Sequence, residues 1–287
     1  MLWFYLSLTS AVTLATVDAL SKYALKDSEE EVVAWARWGF AAPFLLLLLP
    51  FIEIPSLDAT FWYATALGIP LDAVALFLYV RAIKISPLSL TIPLMALTPV
   101  FLIVTSFLIL GELPDRSGVA GIFLIASGAY LLNLNSSARG PLAPFRAIAK
   151  EKGSILIIAV AFIYSISSNL GKIAVLHSSS LFFAVIYTNL LAAVILPFVM
   201  IKKRGSLSAI KARPALFILI GFIFAIMVAA HFSALKLVEV SYMISVKRTS
   251  LIFSVIFGWL LFREEHIRER LLGSMVMAAG VVLITLF

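Results

Sequence analysis

Long apolar runs, broken at short intervals by polar turns, set the pattern of this chain. A helix that crosses a bilayer needs about 20 apolar residues. The runs predict ten such spans, at 2–24, 32–51, 60–82, 88–111, 116–134, 153–176, 180–201, 214–235, 241–262 and 268–286. Most connections are short. The longest polar stretch, "NSSARGPLAPFRAIAKEKG" at 135–153, is rich in Pro, Gly, Ser and Lys. It divides the pattern into a first five-helix repeat at 1–135, a connecting loop at 136–152 and a second five-helix repeat at 153–287. Unbroken runs of this length predict helices, not the weakly alternating segments of about ten residues that build a β-barrel.

The halves resemble each other. A shift of 152 residues lays Lys84 on Lys236, Ser89 on Ser241 and Glu112 on Glu264. It also lays Gly121 and Gly128 of the fifth span on Gly273 and Gly280 of the tenth. Five is an odd number of crossings, so the second repeat enters the membrane from the opposite side. The expected fold is an all-α integral membrane protein of ten helices in two inverted five-helix repeats, an architecture typical of secondary transporters.

Composition agrees. Of 287 residues, 62% are hydrophobic and 13% charged, and the mean hydropathy is +1.09. A soluble chain would carry about twice that charged fraction. The net charge of +7 sits in connections and reports orientation, not nucleic acid. Arg139, Arg146, Lys150 and Lys152 lie between spans five and six; Lys202, Lys203, Arg204, Lys211 and Arg213 between seven and eight; Arg263, Arg268 and Arg270 between nine and ten. The positive-inside rule puts these odd-numbered connections in the cytoplasm of a cell-membrane protein, and both termini outside. Residues 1–24 read as a retained span with no signal-peptide cleavage site. No cysteine is present, so disulfides and thiolate chemistry are excluded. No phosphate loop, nucleophile elbow or H-E-x-x-H pair occurs, which points away from an enzyme. Neither a cofactor nor a transition-metal site is expected.

The ten spans, the inverted repeat and the paired exits "LILGE" (108–112) and "LLFRE" (260–264) resemble the drug/metabolite transporter superfamily, most closely the EamA-type permeases. The resemblance covers essentially the whole chain. It implies a central cavity lined by spans one, three and four and their counterparts six, eight and nine. Members export amino acids and other metabolites, and relatives exchange sugar phosphates and nucleotide sugars. Many members keep both termini in the cytoplasm; the Lys/Arg distribution here says the reverse.

Within "YMISVKRTSLIFSVIFGWLLF" (242–262), Lys247 and Arg248 lie side by side in an apolar span. They sit about 9–10 Å from its nearer end. Cations at depth cost about 2.5–3.5 kcal/mol each on insertion scales and usually face a polar cavity. At helical spacing, Ser241, Ser245 and Arg248 form one stripe, and Lys247, Ser250, Ser254 and Gly258 the next. Snorkelling or a structural ion pair is the bland alternative. Plastid phosphate translocators are similar here, with an adjacent Lys-Arg on their ninth span that binds phosphate. Asp72, mid-span in "GIPLDAVALFLYV", has three open roles: neutralising Lys247 or Arg248, coupling a proton, or a plain salt bridge. The shift sets His231 opposite Tyr79, and Asn169 lies in a polar stretch of span six with Tyr164, Ser165 and Ser168. Asp18 and Lys22 are one turn apart and expected to pair; Lys172 and Arg37 are expected to snorkel. Pro93 and Pro99 should loosen span four, with no prolines at the counterparts in span nine. The glycines at seven-residue spacing should pack span five near span ten. Glu112 and Glu264, at the exits of spans four and nine, should cap or pair locally.

The expected function is secondary transport of a small polar metabolite bearing a carboxylate or phosphate, by alternating access at a midplane site. Lys247 and Arg248 would hold the anion. Asp72 would balance or couple. Ser245, His231, Tyr79 and Asn169 would supply hydrogen bonds. Partners are the metabolite, the lipid bilayer, and protons or a counter-substrate. One chain suffices for a cavity, and a dimer remains open. An amino-acid exporter is one alternative; a lipid scramblase or assembly subunit is another.

Overall fold

The computed structural model describes residues 1–85, 92–131, 151–202, 207–262 and 267–286, and these are helices and connections with no strand among them. Ser89, Lys203, Arg204, Arg263, Glu264 and nearly all of the connecting loop, with Arg139, Arg146 and Lys150, lie outside the described residues.

The helices are α1 (Leu2–Ala24), α2 (Glu30–Leu46), α3 (Ala59–Ile85), α4 (Leu97–Leu110), α5 (Arg116–Leu131) and α6 (Lys152–Leu176). After them come α7 (Ser180–Lys202), a short α8 (Leu207–Ala212), α9 (Pro214–Leu235), α10 (Val240–Lys247), α11 (Ser250–Phe262) and α12 (Ile267–Leu286). Six described segments are long and apolar enough to cross a membrane: Leu2–Ala24, Glu30–Phe51, Ala59–Ala82, Lys152–Leu176, Ser180–Met200 and Pro214–Leu235. Shorter apolar helices cover Leu94–Leu110, Arg116–Leu131 and Leu272–Thr285.

Helix starts are capped by side chains from the polar connections. The first N–H groups of a helix have no intrahelical acceptor, and an oxygen just before them satisfies one. Asp58 Oδ1 accepts from Phe61 N (2.9 Å), Asp115 Oδ1 from Gly118 N (2.6 Å) and Glu151 Oε2 from Ser154 N (2.5 Å). At the end of α4, Gly111 takes φ 72° and its N–H bonds Phe107 O. Only glycine adopts that left-handed conformation without steric cost.

The chain forms two compact units, and each draws on both halves of the sequence. One comprises 1–74 and 170–238. In it α9 packs on α1, α2 and α7, and α2 packs on α7. Gly221 of α9 lies against the Phe40 backbone of α2, where a Cβ would collide. Trp35 Nε1 donates to Ala192 O (3.1 Å), tying α2 to α7. Phe61, Phe183 and Phe217 are fully buried among the helices.

The other unit comprises 75–169 and 239–287. Ala75 and Ala82 of α3 pack with Leu94, Met95 and, from α6, Ile157 and Val160. The expected glycine contact between spans five and ten is present, as α5 on α12. A Cβ on Gly121 would lie 2.8 Å from Gly280 O, and one on Gly128 would lie 2.7 Å from Gly273 O. As residue number rises along α5 it falls along α12, so the two helices run antiparallel.

Candidate functional site

The ninth span was expected as one helix over 241–262. It is broken instead. α10 ends at Lys247, and α11 begins at Ser250. Across the break Arg248 N bonds Ser245 O (3.1 Å) as well as Ile244 O (3.0 Å), and Thr249 N bonds Val246 O (3.0 Å). These i to i−3 bonds tighten the turn toward 3₁₀ geometry. Side chains add bonds at the turn: Thr249 Oγ1 donates to Val246 O (2.7 Å) and Ser245 Oγ to Ser241 O (2.6 Å). Such back-bonds favour bending but do not by themselves break a helix, since α1 stays continuous through those of Ser7, Thr9, Thr13 and Thr16.

The fourth span breaks at the matching level. A 3₁₀ turn runs over Ile92–Ala96 and α4 starts at Leu97. The 152-residue shift lays the Ala96–Leu97 junction on Arg248–Thr249. The prolines suggested that the two halves differ here, yet in both a turn of 3₁₀ character leads into an α-helix at this level. Pro99 is the third residue of α4, where the missing N–H had no intrahelical acceptor. The two breaks are tied together: Arg248 Nη2 donates to Thr98 Oγ1 (2.9 Å), and Thr98 Oγ1 donates to Met95 O (2.8 Å). Lys247 and Arg248 are both partly exposed.

Three other predicted residues fall in the same unit. Ser245 is fully buried with its hydroxyl on Ser241 O. Asn169 is also fully buried. Its Oδ1 accepts from Ser106 Oγ (2.8 Å), and its Nδ2 donates to Thr105 Oγ1 (3.2 Å) and Ser165 O (2.8 Å). That amide fastens α6 to α4. Tyr79 is half-buried beside the Ala75–Ile157 apolar cluster.

Asp72 and His231 belong to the other unit. Asp72 sits mid-way along α3, and Tyr187 of α7 donates its hydroxyl to Asp72 Oδ2 (2.5 Å). Tyr187 is held by rings: Phe183 at 5.0 Å, Phe232 at 5.8 Å and Trp38 at 6.4 Å between centroids. His231 lies against Phe232 at 5.0 Å. Sequence reasoning missed Tyr187. The only signal was the polar triplet Tyr187–Thr188–Asn189 in an otherwise apolar stretch, "LFFAVIYTNLL".

Three expectations near the span ends need correction. Arg37 does not snorkel: Nη1 lies 2.8 Å from Asp18 Oδ1, and Nε donates to Ser21 Oγ (3.1 Å). Asp18 thus pairs across to α2, because α1 and α2 bring two opposite charges to one level. Lys172 is 7% exposed and donates to Val238 O (2.9 Å), so it too points inward. Glu112 was expected to cap locally, but its Oε2 accepts from Val240 N (3.1 Å), 128 residues away.

Connections are also joined. Asp58 Oδ2 lies 2.6 Å from His177 Nδ1, and Arg213 Nη2 lies 2.6 Å from Asp27 Oδ2. The Phe61 N–H first, and His177 second, hold the Asp58 carboxyl below its ordinary range. The Gly118 N–H and the Ser117 hydroxyl do the same for Asp115. Among the described residues, no group of three or more His, Cys, Asp or Glu is placed to hold a metal.

Apolar helices of spanning length and a duplicated helical plan define a multi-pass membrane protein of the transporter type. The chain belongs to the EamA-like transporter family, whose model matches twice, over 1–134 and 151–286. One solved structure, titled only "Crystal structure of protein", superposes with a TM-score of 0.72 at 14% identity, covering 99% of this chain and 96% of that one. At that identity the likeness speaks for the fold alone. No curated protein matches the chain.

Proposed function

We propose that this chain is a secondary transporter that crosses the cell membrane ten times as two inverted five-span repeats. It moves a small polar metabolite carrying a carboxylate or phosphate, by alternating access at a site near the bilayer midplane. Contacts between connections support the crossing pattern. Asp27 with Arg213 joins the first and seventh connections. Asp58 with His177 joins the second and sixth. Glu112 with Val240, and Asp115 with Tyr242, join the fourth connection to the first turn of span nine, next to the eighth connection. Odd meets odd and even meets even, as single crossings by each span require. The antiparallel course of α5 and α12 supports the inversion.

The observation that carries the function is the break at Arg248–Thr249. A pair of adjacent cations stands at the tightened turn between α10 and α11. The start of a helix carries partial positive charge, which adds to the two cations in favouring an anion. Interrupted helices at matching levels of both repeats are a common way for transporters to build a midplane site. Lys247 and Arg248 bind the anionic group, and Asp72 is the coupling carboxylate. Tyr79, in the same unit as Lys247 and Arg248, is a secondary contact. Ser245 and Asn169, being fully buried, support the surrounding helices. The chain performs no covalent chemistry in this reading, and protons or a counter-substrate drive the flux.

The test is thermal unfolding of the purified chain with matched anionic, zwitterionic and cationic metabolites, beside Lys247→Ala/Arg248→Ala. A ligand of the native state raises its apparent stability. Anions should stabilise the wild type and not the double variant. Amino acids stabilising where sugar phosphates and decarboxylated amines do not would instead favour an amino-acid exporter. Phospholipid movement in vesicles without saturable solute flux would favour a scramblase.

A further inference from the structure

We propose that Glu112 is a positioning residue for Lys247 and Arg248, pinning the half-helix that carries them. This rests on reading that pair as the anion site. α10 has eight residues. Isolated helices shorter than about 12–15 residues are marginal in water. The break at Arg248–Thr249 also interrupts its continuity with α11. What α10 packs against therefore fixes its place, and that is α4, α5 and α12.

Polar ties hold α10 at both of its ends, and two of them lead to the ends of α4. Val240 N donates to Glu112 Oε2 (3.1 Å), just past the C-terminus of α4. Arg248 Nη2 donates to Thr98 Oγ1 (2.9 Å), in its first turn. The two helices therefore run antiparallel. Along the axes, Val240 to Arg248 spans about 12 Å, whereas Thr98 to Glu112 spans about 21 Å. The long side chains of Glu112 and Arg248 close the difference. α10 is a strut slung between them.

The turn that delivers Glu112 is built for the purpose. Gly111 at φ 72° reverses the chain, and Glu112 N bonds Ser106 O (3.3 Å). Beside it Asp115 N donates to the Tyr242 hydroxyl (3.1 Å), which in turn donates to Asp115 Oδ1 (3.2 Å). Gly118 leaves room for that hydroxyl; a Cβ there would overlap it. The carboxylate of Glu112 also lies at the positive end of α10, where a negative charge is favourable.

The experiment is hydrogen–deuterium exchange on the full chain in lipid nanodiscs, comparing wild type, Glu112→Ala and Glu112→Gln. Glu112→Ala should speed exchange of the 240–247 amides about tenfold, the value of one charge-assisted hydrogen bond, and leave 250–262 unchanged. Glu112→Gln keeps an acceptor oxygen and should restore protection. If Glu112→Ala does not fold, Glu112→Asp replaces it: one methylene shorter, it falls short of Val240 and should show the same selective loss. Equal loss over both segments, or unchanged protection of 240–247, overturns the proposal. In a parallel arm, citrate and inorganic phosphate are titrated as probes. Their apparent affinity should fall about tenfold in Glu112→Ala and recover in Glu112→Gln. If neither probe stabilises the wild type, the anion-site reading fails, and the exchange result still decides whether Glu112 holds α10.

Discussion

Gly121 and Gly280 face each other with no side chain between them, each where a Cβ would lie within 2.8 Å of the other's carbonyl oxygen. The 152-residue shift turns this pair into Gly273 and Gly128, which are also in contact. Each contact is thus the image of the other. A two-fold relation between repeats produces such reciprocal pairs, as it does at the interface of a symmetric dimer.

Backbone oxygens cannot move aside as a flexible side chain can. Gly121→Ala and Gly128→Ala should therefore each destabilise the chain by about 1–3 kcal/mol. Gly68→Ala is the control, because its Cβ would meet the Tyr187 hydroxyl at an ordinary 3.4 Å. Thermal unfolding of the three variants in one detergent should separate the pair from the control.

The bond from Tyr187 to Asp72 makes a second prediction. Tyr187→Phe keeps the ring among Phe183, Phe232 and Trp38 but removes the donor. It should cost about 1–3 kcal/mol in the wild-type background and clearly less in an Asp72→Leu background. A thermal double-variant cycle measures the difference. Asp72→Asn should also abolish pH-dependent flux in proteoliposomes; full retention would remove Asp72 from coupling.

Asp58 gives a prediction about acid. Its folded-state carboxyl is held below the ordinary value of 3.8 by the Phe61 N–H and then by His177. A lowered carboxyl contributes stability above its unfolded value and loses it as pH falls through the folded value. The loss should therefore appear below pH 3.8. Asp58→Asn should flatten that limb of the melting-temperature profile, measured from about pH 5 down to about pH 2.

Orientation can be checked directly. The Lys/Arg distribution places both termini outside. A C-terminal phosphatase fusion should be active and a fluorescent-protein fusion dark. The opposite pattern would invert the chain without altering any contact described above.

Apolar run length determined the helices of this protein. Residues 2–24 and 214–235, expected from hydropathy alone, are α1 and α9 with the same bounds. That follows from the bilayer, which leaves a backbone few options but to bond within its own segment. Repetition of short patterns disclosed the duplication, and glycine spacing disclosed where α5 meets α12. The partners of polar side chains were another matter. Arg37 with Asp18, Tyr187 with Asp72, Arg248 with Thr98 and Glu112 with Val240 join residues 19 to 150 positions apart. Hydropathy carries no term for which helix lies beside which. The break at Arg248–Thr249 was hidden for the same reason: serine and threonine are compatible with a continuous helix. The sequence determined that two cations lie at depth. Only the tertiary structure decided that they stand at a tightened turn between two helix segments, tied to the matching turn in the other repeat.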